Sequence, residues 1–470
     1  MSEIACLHQL SYDIVDCGKD VSALMRGQGP TRTLMSHPTG SSWRICLLLF
    51  LLALGLRLGY AALVWSGPLG NADSPAYEDL AVKIISSKTY QTNESGGPGG
   101  FPPDLQRPPG YPAYLAAVNY LGGSSLSNSR HRTSLVQCVM GAAFALVLAI
   151  LVAALSSPTI GAISAGFFAA DWVTIVYTPL AISETLYCVV LGVAILVYGL
   201  ALSKQRGSLA LFAGLLLGCA ALVKPAAQVL LLALLIGWIF WRPRRWTGLL
   251  FLVTYMACVL PWMTRNEHKY GVFTLSTVGI ADLYFYIGEG ALHTYPLSDV
   301  AGAQVTADVN QLDLEWRARP LSAGERSRQM MHEALAVIVS HWPTVLKEAS
   351  IGLLRTSLGT ASVTAAGSMK PHPGHAAKLL LNALPLVQIC AIWLLAIYGS
   401  VVSGGLGRNL RVLLVASVLC VLLPAAAPLG QSRFRVPAMP MLCVLAAAGA
   451  AGVLTRYRAL APEEVPVSGC

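Results

Sequence analysis

Charge is scarce in this chain: Asp, Glu, Lys and Arg make up 12% of its 470 residues, against 55% hydrophobic. An ordinary soluble domain carries about 25% charged residues, so a soluble enzyme and a disordered chain are both excluded. Acid is scarcer still, with 23 Asp and Glu against 32 Lys and Arg and a net charge of +9. The basic residues cluster at the ends of apolar runs, so the excess reads as membrane topology and contact with anionic headgroups, not nucleic-acid binding. Cysteine is missing from both long polar segments, 67–132 and 264–375; of the eleven, only Cys6, Cys17 and Cys470 lie outside apolar runs. No disulfide framework is indicated. Residues 1–43 lack an apolar core of the kind a signal peptide needs and read as a cytoplasmic tail. Met35, just before the first apolar run, stands as an alternative start to Met1. No repeat relates the first half to the second, which argues against a transporter built from two related halves. No nucleotide-sugar loop and no metal-ligand set is visible, and His372 and His375, set among prolines, read as a surface turn.

What the chain does have is apolar runs. About 20 residues cross the hydrocarbon core as a helix, and runs near 44–65, 133–155, 158–178, 180–202, 208–223, 225–241, 246–263, 376–402, 409–427 and 436–455 approach or meet that length. The expected fold is an all-α polytopic bundle of about ten transmembrane helices, residues 44–455, between tails 1–43 and 456–470. Lys204 and Arg206, then Arg242, Arg244 and Arg245, then Arg408 and Arg411, then Arg456 and Arg458 all fall on one side of it. The positive-inside rule makes that side cytoplasmic and puts both long loops outside. An apolar stretch at 349–366, broken by Arg355, would reverse the last charges if it crossed, so it is read as not crossing.

The first outside loop reaches Asp73 only eight residues after Trp65, close to the membrane surface. From Ala76, the spacing of Tyr77, Leu80, Ala81, Ile84 and Ile85 predicts a helix lying along the interface. Asp73 stands at its entry and reads either as a helix cap or as a reacting carboxylate. Residues 91–106, rich in Gly and Pro, read as a mobile connection, and Asn93 begins a glycosylation pattern with Ser95. Arg107, followed by Pro108, Pro109, Gly110, Tyr111 and Pro112, opens another helix. An Arg beside a helix N-terminus suits a phosphate, although the same motif serves as a rigid turn.

Cations recur at the outer ends of the spans: Lys224 before Pro225, Arg265 after Pro261 and Trp262, and Arg433 and Arg435 in the last outer turn. These are ends where Lys and Arg are disfavoured. Phosphate binding explains them, and so does snorkelling toward headgroups. Arg57 lies inside the first span, where a lone charge costs about 2.5–3.5 kcal/mol, so it should face the bundle, with Asp171 or Glu184 as partner. Gly55 and Gly59 flank it in a spacing that favours close helix packing.

Taken together, Asp73 and Tyr77, the Arg107–Pro112 motif, Ser183 with Glu184, Pro261-Trp262 with Arg265-Asn266, and the segment from Arg433 to Pro437 resemble the GT-C glycosyltransferases over residues 44–455. The branch that looks most similar is the dolichyl-phosphate-mannose protein mannosyltransferase type, which includes the lipid A aminoarabinose transferases. The resemblance implies a GT-C-like bundle with interfacial helices in the first outside loop. It implies transfer of a sugar from a polyprenyl-phosphate donor to a protein, lipid or glycan acceptor, outside a bacterial cytoplasmic membrane and without a further cofactor. Asp73 is then the catalytic acidic residue of the first loop, acting as the base, and Tyr77, Arg107, Tyr111, Glu184, Lys224, Arg265, Arg433 and Arg435 are expected around the substrates. Many relatives carry two adjacent acids there, whereas Ser74 follows Asp73. A phosphate leaving group needs no proton, so one base and several cations suffice, and direct displacement inverts the anomeric centre. The alternatives are a transporter or flippase of a lipid-linked or anionic substrate, and a polymerase or ligase of surface polysaccharide.

Overall fold

The apolar runs become helices because nothing else satisfies backbone groups in lipid. In the computed structural model of the chain, the described residues are 42–91, 97–122, 129–241, 245–292, 310–402, 405–426 and 430–460. Most of both expected tails, Asn93, Arg242 and Arg244 lie outside them. Six helices have the length and hydropathy to span a membrane: Leu47–Val64, Ser129–Leu155, Glu184–Lys204, Trp246–Tyr270, His375–Val401 and Ser432–Tyr457. Shorter apolar helices, Pro158–Ala170, Gly207–Val223 and Pro225–Trp241, lie among them, with Arg408–Leu422 completing the bundle. Among the described residues the architecture is all helical, an integral multi-pass membrane protein. Glu184–Lys204 and Ser432–Tyr457 are buried over 78% and 72% of their apolar windows and form the centre, while Leu47–Val64 and His375–Val401, at 28% and 22%, turn most of their surface outward.

The third expected span, 158–178, is interrupted. Its first helix is the 13-residue Pro158–Ala170, about 20 Å long against a hydrocarbon core of about 30 Å. Asp171 ends it in extended conformation, and its Oδ2 accepts the Thr174 amide at 2.8 Å, capping the short helix Trp172–Tyr177. That cap bond occupies the carboxylate expected to pair with Arg57. Arg57 faces the bundle, fully buried, but donates to the carbonyls of Ala53, Phe168 and Ala169 and to Thr174 Oγ1. The broken helix leaves carbonyls without intrahelical partners, and the guanidinium answers them; neither Asp171 nor Glu184 bonds to it. Gly55 and Gly59 are exposed, with nothing within 4 Å of an added Cβ, so the expected close packing there is absent. Gly141 makes the room instead, since a Cβ on it would stand 2.7 Å from Arg57 Nε.

The two ends of the bundle differ. At one, Arg411 donates to the carbonyls of Ser400 and Val401, Ser156 to Gly405, and Arg408 lies over Phe240. Glu184–Lys204 has 21 residues, so Lys204 lies about 30 Å from the opposite end, where both long loops gather.

There, residues 69–74 are pinned to the bundle: the Ala181 amide donates to Leu69 O and Ser74 Oγ to Ala181 O. The interfacial helix Ser74–Ser86 buries Tyr77, Leu80 and Ala81 against the helix Gly110–Leu121. Residues 97–106, expected as part of a mobile connection, are packed. Phe101 and Leu105 join Ala281, Tyr284, Phe285, Trp316, Met330 and Ala334 in a second apolar core, and the turn Pro103–Gln106 is helical. This core fastens the first loop to the cap formed by Val278–Asp282, Ala323–Ser340 and Trp342–Leu358. The stretch 349–366 does not run on as one helix: Trp342–Leu358 ends before Gly359, and Ala361 is left-handed at φ 56°.

Candidate active site

Asp73 occupies the N-cap position of Ser74–Ser86, yet its side chain makes no capping bond. Asn71 Oδ1 instead accepts the Asp73 amide at 2.9 Å, and Ser74 Oγ accepts that of Asn71. The freed carboxylate bridges two arginines: Oδ1 accepts from Arg107 Nη2 at 2.7 Å and Oδ2 from Arg433 Nη1 at 2.8 Å. Burial works to raise its pKa, but Arg107, Arg433 and, farther off, Lys224 outweigh it and hold the carboxyl well below the usual carboxylate range.

The Arg107-Pro108-Pro109 segment cannot continue the turn Pro103–Gln106, because a proline disfavours helical geometry in the residue before it. Arg107 is extended, which turns its side chain out from the turn toward Asp73. Tyr90 Oη holds this backbone by donating to Arg107 O and Pro108 O at 2.8 and 3.1 Å. The guanidinium lies 5.0 Å from the ring centre of Tyr77, which meets Tyr111 edge to face at 4.9 Å. Tyr111 donates to Gln137, whose amide ties the carbonyls of Thr178 and Leu180. Although burial disfavours its charge, Tyr77 and Asp73 keep the Arg107 pKa above its ordinary value. Gly110 permits the approach, since a Cβ there would lie 2.7 Å from the backbone of Leu222 and Val223, next to Lys224.

Pro225 stops the helix Gly207–Val223 and leaves Lys224 extended at its end. Its Nζ lies 3.0 Å from Oε1 of the buried Glu184. Phe434 lies between Lys224 and Arg433, 5.4 and 4.8 Å from them. Asp73, Tyr77, Arg107, Tyr111, Glu184, Lys224 and Arg433 are therefore gathered at one end of the bundle.

Two expected site residues lie elsewhere. Arg265 Nη2 bonds to Asp104 Oδ2 at 2.5 Å and to Tyr90 O at 3.0 Å. Lys269 and Tyr270 reach the same oxygen at 2.9 and 2.6 Å. Arg435 is fully buried and donates from Nη1 and Nη2 to the carbonyls of Thr356, Ser357 and Gly359, joining the cap to the last helix.

Sequence reasoning passed over Asp104 and Asp282. Asp104 is 1% exposed; burial opposes its charge, but the Tyr270, Arg265 and Lys269 bonds lower its pKa. Phe101 and Leu105 at helical spacing around it were the available signal. Asp282 ends the helix Val278–Asp282, just before the aromatic run Tyr284 to Tyr286. Its side chain is exposed to solvent. Desolvation by neighbouring segments of the chain works to raise its pKa, with Arg107, Arg433 and Lys224 pulling down and Asp73 pushing up. Among the described residues, no group of three or more His, Cys, Asp or Glu is placed to hold a metal ion.

The site thus has two carboxylates, Asp73 and Glu184, and three cations, Arg107, Lys224 and Arg433, at the loop end of a membrane bundle. Residues 106–264 match the family model of dolichyl-phosphate-mannose-protein mannosyltransferases. Among curated proteins nothing matches the chain. Its fold is similar to that of the Archaeoglobus fulgidus oligosaccharyltransferase in the apo form, with a TM-score of 0.54 at 15% identity over 89% of this chain and 51% of that one. The same enzyme tethered with an acceptor peptide containing the NVT sequon gives 0.54 at 13% identity, over 89% and 50%. ArnT from Cupriavidus metallidurans bound to undecaprenyl phosphate gives 0.40 at 14% identity, over 87% and 76%. The chain therefore spans about half the length of the oligosaccharyltransferase. At such identities the likeness is one of fold, and that fold is the GT-C bundle.

Proposed function

We propose that this GT-C-fold membrane protein is a glycosyltransferase that moves a sugar from a polyprenyl-phosphate donor to an acceptor hydroxyl, with inversion, on the outer face of a bacterial cytoplasmic membrane. The observation that carries the reading is the bridge of Asp73 between Arg107 and Arg433, with Lys224 beside it. Paired guanidiniums at a membrane surface match a phosphate of a lipid carrier in both charge and shape. The opposite placement of the basic helix ends, Lys204, Arg206, Arg408 and Arg411, supports an outward-facing site.

In this reading the donor phosphate draws Arg107 and Arg433 away from Asp73. The released carboxylate regains its basicity and takes the proton of the acceptor hydroxyl. The hydroxyl oxygen forms its bond to the anomeric carbon as the bond to the phosphate oxygen breaks. That oxygen keeps the electron pair, and the cations hold the charge that develops on it. No general acid is needed, in contrast to glycoside hydrolysis, where the leaving alkoxide must be protonated. Tyr77 and Tyr111 support Arg107, and Glu184 orients Lys224. Arg265, engaged by Asp104, joins the two loops instead of binding phosphate.

The test is mass spectrometry of lipid extracts from cells lacking the protein, rescued with the native chain or with Asp73→Asn. One polyprenyl-phosphate sugar should accumulate and be cleared only by the native chain. If none accumulates, transport of a lipid-linked substrate becomes the better account; if both chains clear it, Asp73 is not the base.

A further inference from the structure

The Arg107–Pro112 motif leaves its own backbone short of donors. Pro108 and Pro109 carry no N–H, and neither does Pro112, four residues beyond Pro108, where a helical donor to the Pro108 carbonyl would stand. Arg107 is extended, so its carbonyl is not aligned with the helix that begins at Gly110. Two carbonyls beside the arginine that bonds Asp73 therefore need a donor from elsewhere. One phenol supplies it: Tyr90 Oη donates to Arg107 O at 2.8 Å and to Pro108 O at 3.1 Å, from 17 and 18 residues upstream. Tyr90 is in turn held by the outer end of the Trp246–Tyr270 span. Its ring meets that of Trp262 edge to face at 5.2 Å, and its carbonyl accepts from Arg265 Nη2 at 3.0 Å. Arg265 lies 4.6 Å from the Trp262 ring centre and is fixed by Asp104. Burial, with Tyr77 and Asp104 adding to it and Arg265 and Arg107 opposing, puts the Tyr90 pKa well above its ordinary value, so the hydroxyl keeps its proton. Hydrogen bonds thus run unbroken from Asp104 to Arg265, to Tyr90, to the Arg107 backbone, and from the Arg107 guanidinium to Asp73.

We propose that Tyr90 is a positioning residue for the phosphate site: its hydroxyl sets the backbone of Arg107 so that the guanidinium is presented to the donor phosphate. The inference rests on the transferase reading above, and Tyr90 itself touches neither phosphate nor acceptor. Its part is greatest during the exchange of partners. When phosphate draws Arg107 away from Asp73, the guanidinium loses its anchoring carboxylate, and its aim then depends on the Tyr77 ring and on the fixed backbone. A looser backbone spreads the guanidinium over more orientations, and ordering it again on the phosphate costs affinity. Because Arg265 and Trp262 hold Tyr90 from the start of the second loop, the junction of the two loops acts on the phosphate site through this one hydroxyl.

Tyr90→Phe keeps the ring against Trp262 and removes the hydroxyl. The experiment titrates undecaprenyl phosphate, to saturation, against purified full-length native protein, Tyr90→Phe, Arg107→Gln, Arg433→Gln and the two double variants that combine Tyr90→Phe with each arginine change. Thermal unfolding in the same detergent checks that every variant is folded. Tyr90→Phe should bind the probe about three- to tenfold more weakly than native protein, the effect of losing one neutral hydrogen bond. Since the hydroxyl acts through Arg107, that loss should persist in the Arg433→Gln background and vanish in the Arg107→Gln background. An equal loss in both backgrounds overturns the proposal, because the hydroxyl then supports the fold at large. Native affinity in Tyr90→Phe, beside an Arg107→Gln protein that has lost affinity, overturns this inference alone. A native chain that does not bind undecaprenyl phosphate overturns the phosphate site, and with it both the transferase reading and this inference.

Discussion

Replacing Asp73 by Asn removes one negative charge and leaves two guanidiniums facing each other without their counterion. On the arrangement described, the variant should bind a polyprenyl phosphate more tightly than native protein does while losing all transfer. In the native site the arginines are bonded to Asp73 at 2.7 and 2.8 Å, and a phosphate that engages both must displace at least one of those bonds. A hydrogen bond to a charged group contributes about 1.5–3 kcal/mol net. Relieving one displacement is then worth about tenfold to a hundredfold in affinity, at about 1.4 kcal/mol per decade. Native mass spectrometry of purified protein titrated with undecaprenyl phosphate reads this directly, with thermal unfolding in the same detergent as the check that the variant is folded. A folded Asp73→Asn protein that binds the probe equally or more weakly refutes the idea that Asp73 and phosphate compete for the same cations.

Arg107→Gln and Arg433→Gln should each weaken undecaprenyl phosphate binding by about tenfold or more, because each removes one charge-assisted partner of the phosphate; unchanged affinity in either removes that residue from the phosphate set. Asp104→Ala should strand Arg265, Lys269 and Tyr270 and destabilise the junction of the two loops by about 3–5 kcal/mol, read as faster amide hydrogen exchange at residues 97–106. Because the folded pKa of Asp104 is depressed, its stabilising contribution is complete above the unfolded carboxylate value near 4 and disappears as pH falls through the depressed one. Protection in that segment, measured against the intrinsic exchange rate at each pH, should therefore fall only in acid. Gly110→Ala should clash with the backbone at Leu222 and lower stability by about 1–3 kcal/mol, with a loss of probe affinity as Arg107 shifts; an unaltered unfolding temperature refutes the close approach.

The helices and the convergence of Asp73 with Arg107, Lys224 and Arg433 were legible because each rests on local chemistry. Apolar length marks a span, and a cation at the disfavoured end of a span asks for a reason. The roles of Arg265 and Arg435 were not legible. Their position at outer helix ends is that of Arg433, and only tertiary partners separate a cation beside the shared site from one absorbed by Asp104, 161 residues away along the chain, or by carbonyls of the cap. Residues 97–106 were read as mobile because glycine and proline dominate their composition, whereas two apolar side chains and one buried carboxylate suffice to fix them. Arg57 was correctly turned inward by its desolvation cost, but its partners are the carbonyls exposed by a helix break that hydropathy does not register.

On the transferase reading, the bridge at Asp73 also determines which phosphates the site refuses. A membrane face is crowded with phosphate headgroups, and a bare pair of arginines there would be occupied at all times by whatever lipid drifted past. Asp73 gives the site an internal counterion at the contact distances of a good ligand, so a passing headgroup gains little by replacing it. A ligand held at the site by other means, such as a long isoprenoid chain lying against the bundle, presents its phosphate at high local concentration and can win the exchange. Selectivity would then come less from a pocket that fits the right phosphate than from an internal counterion that must be outcompeted.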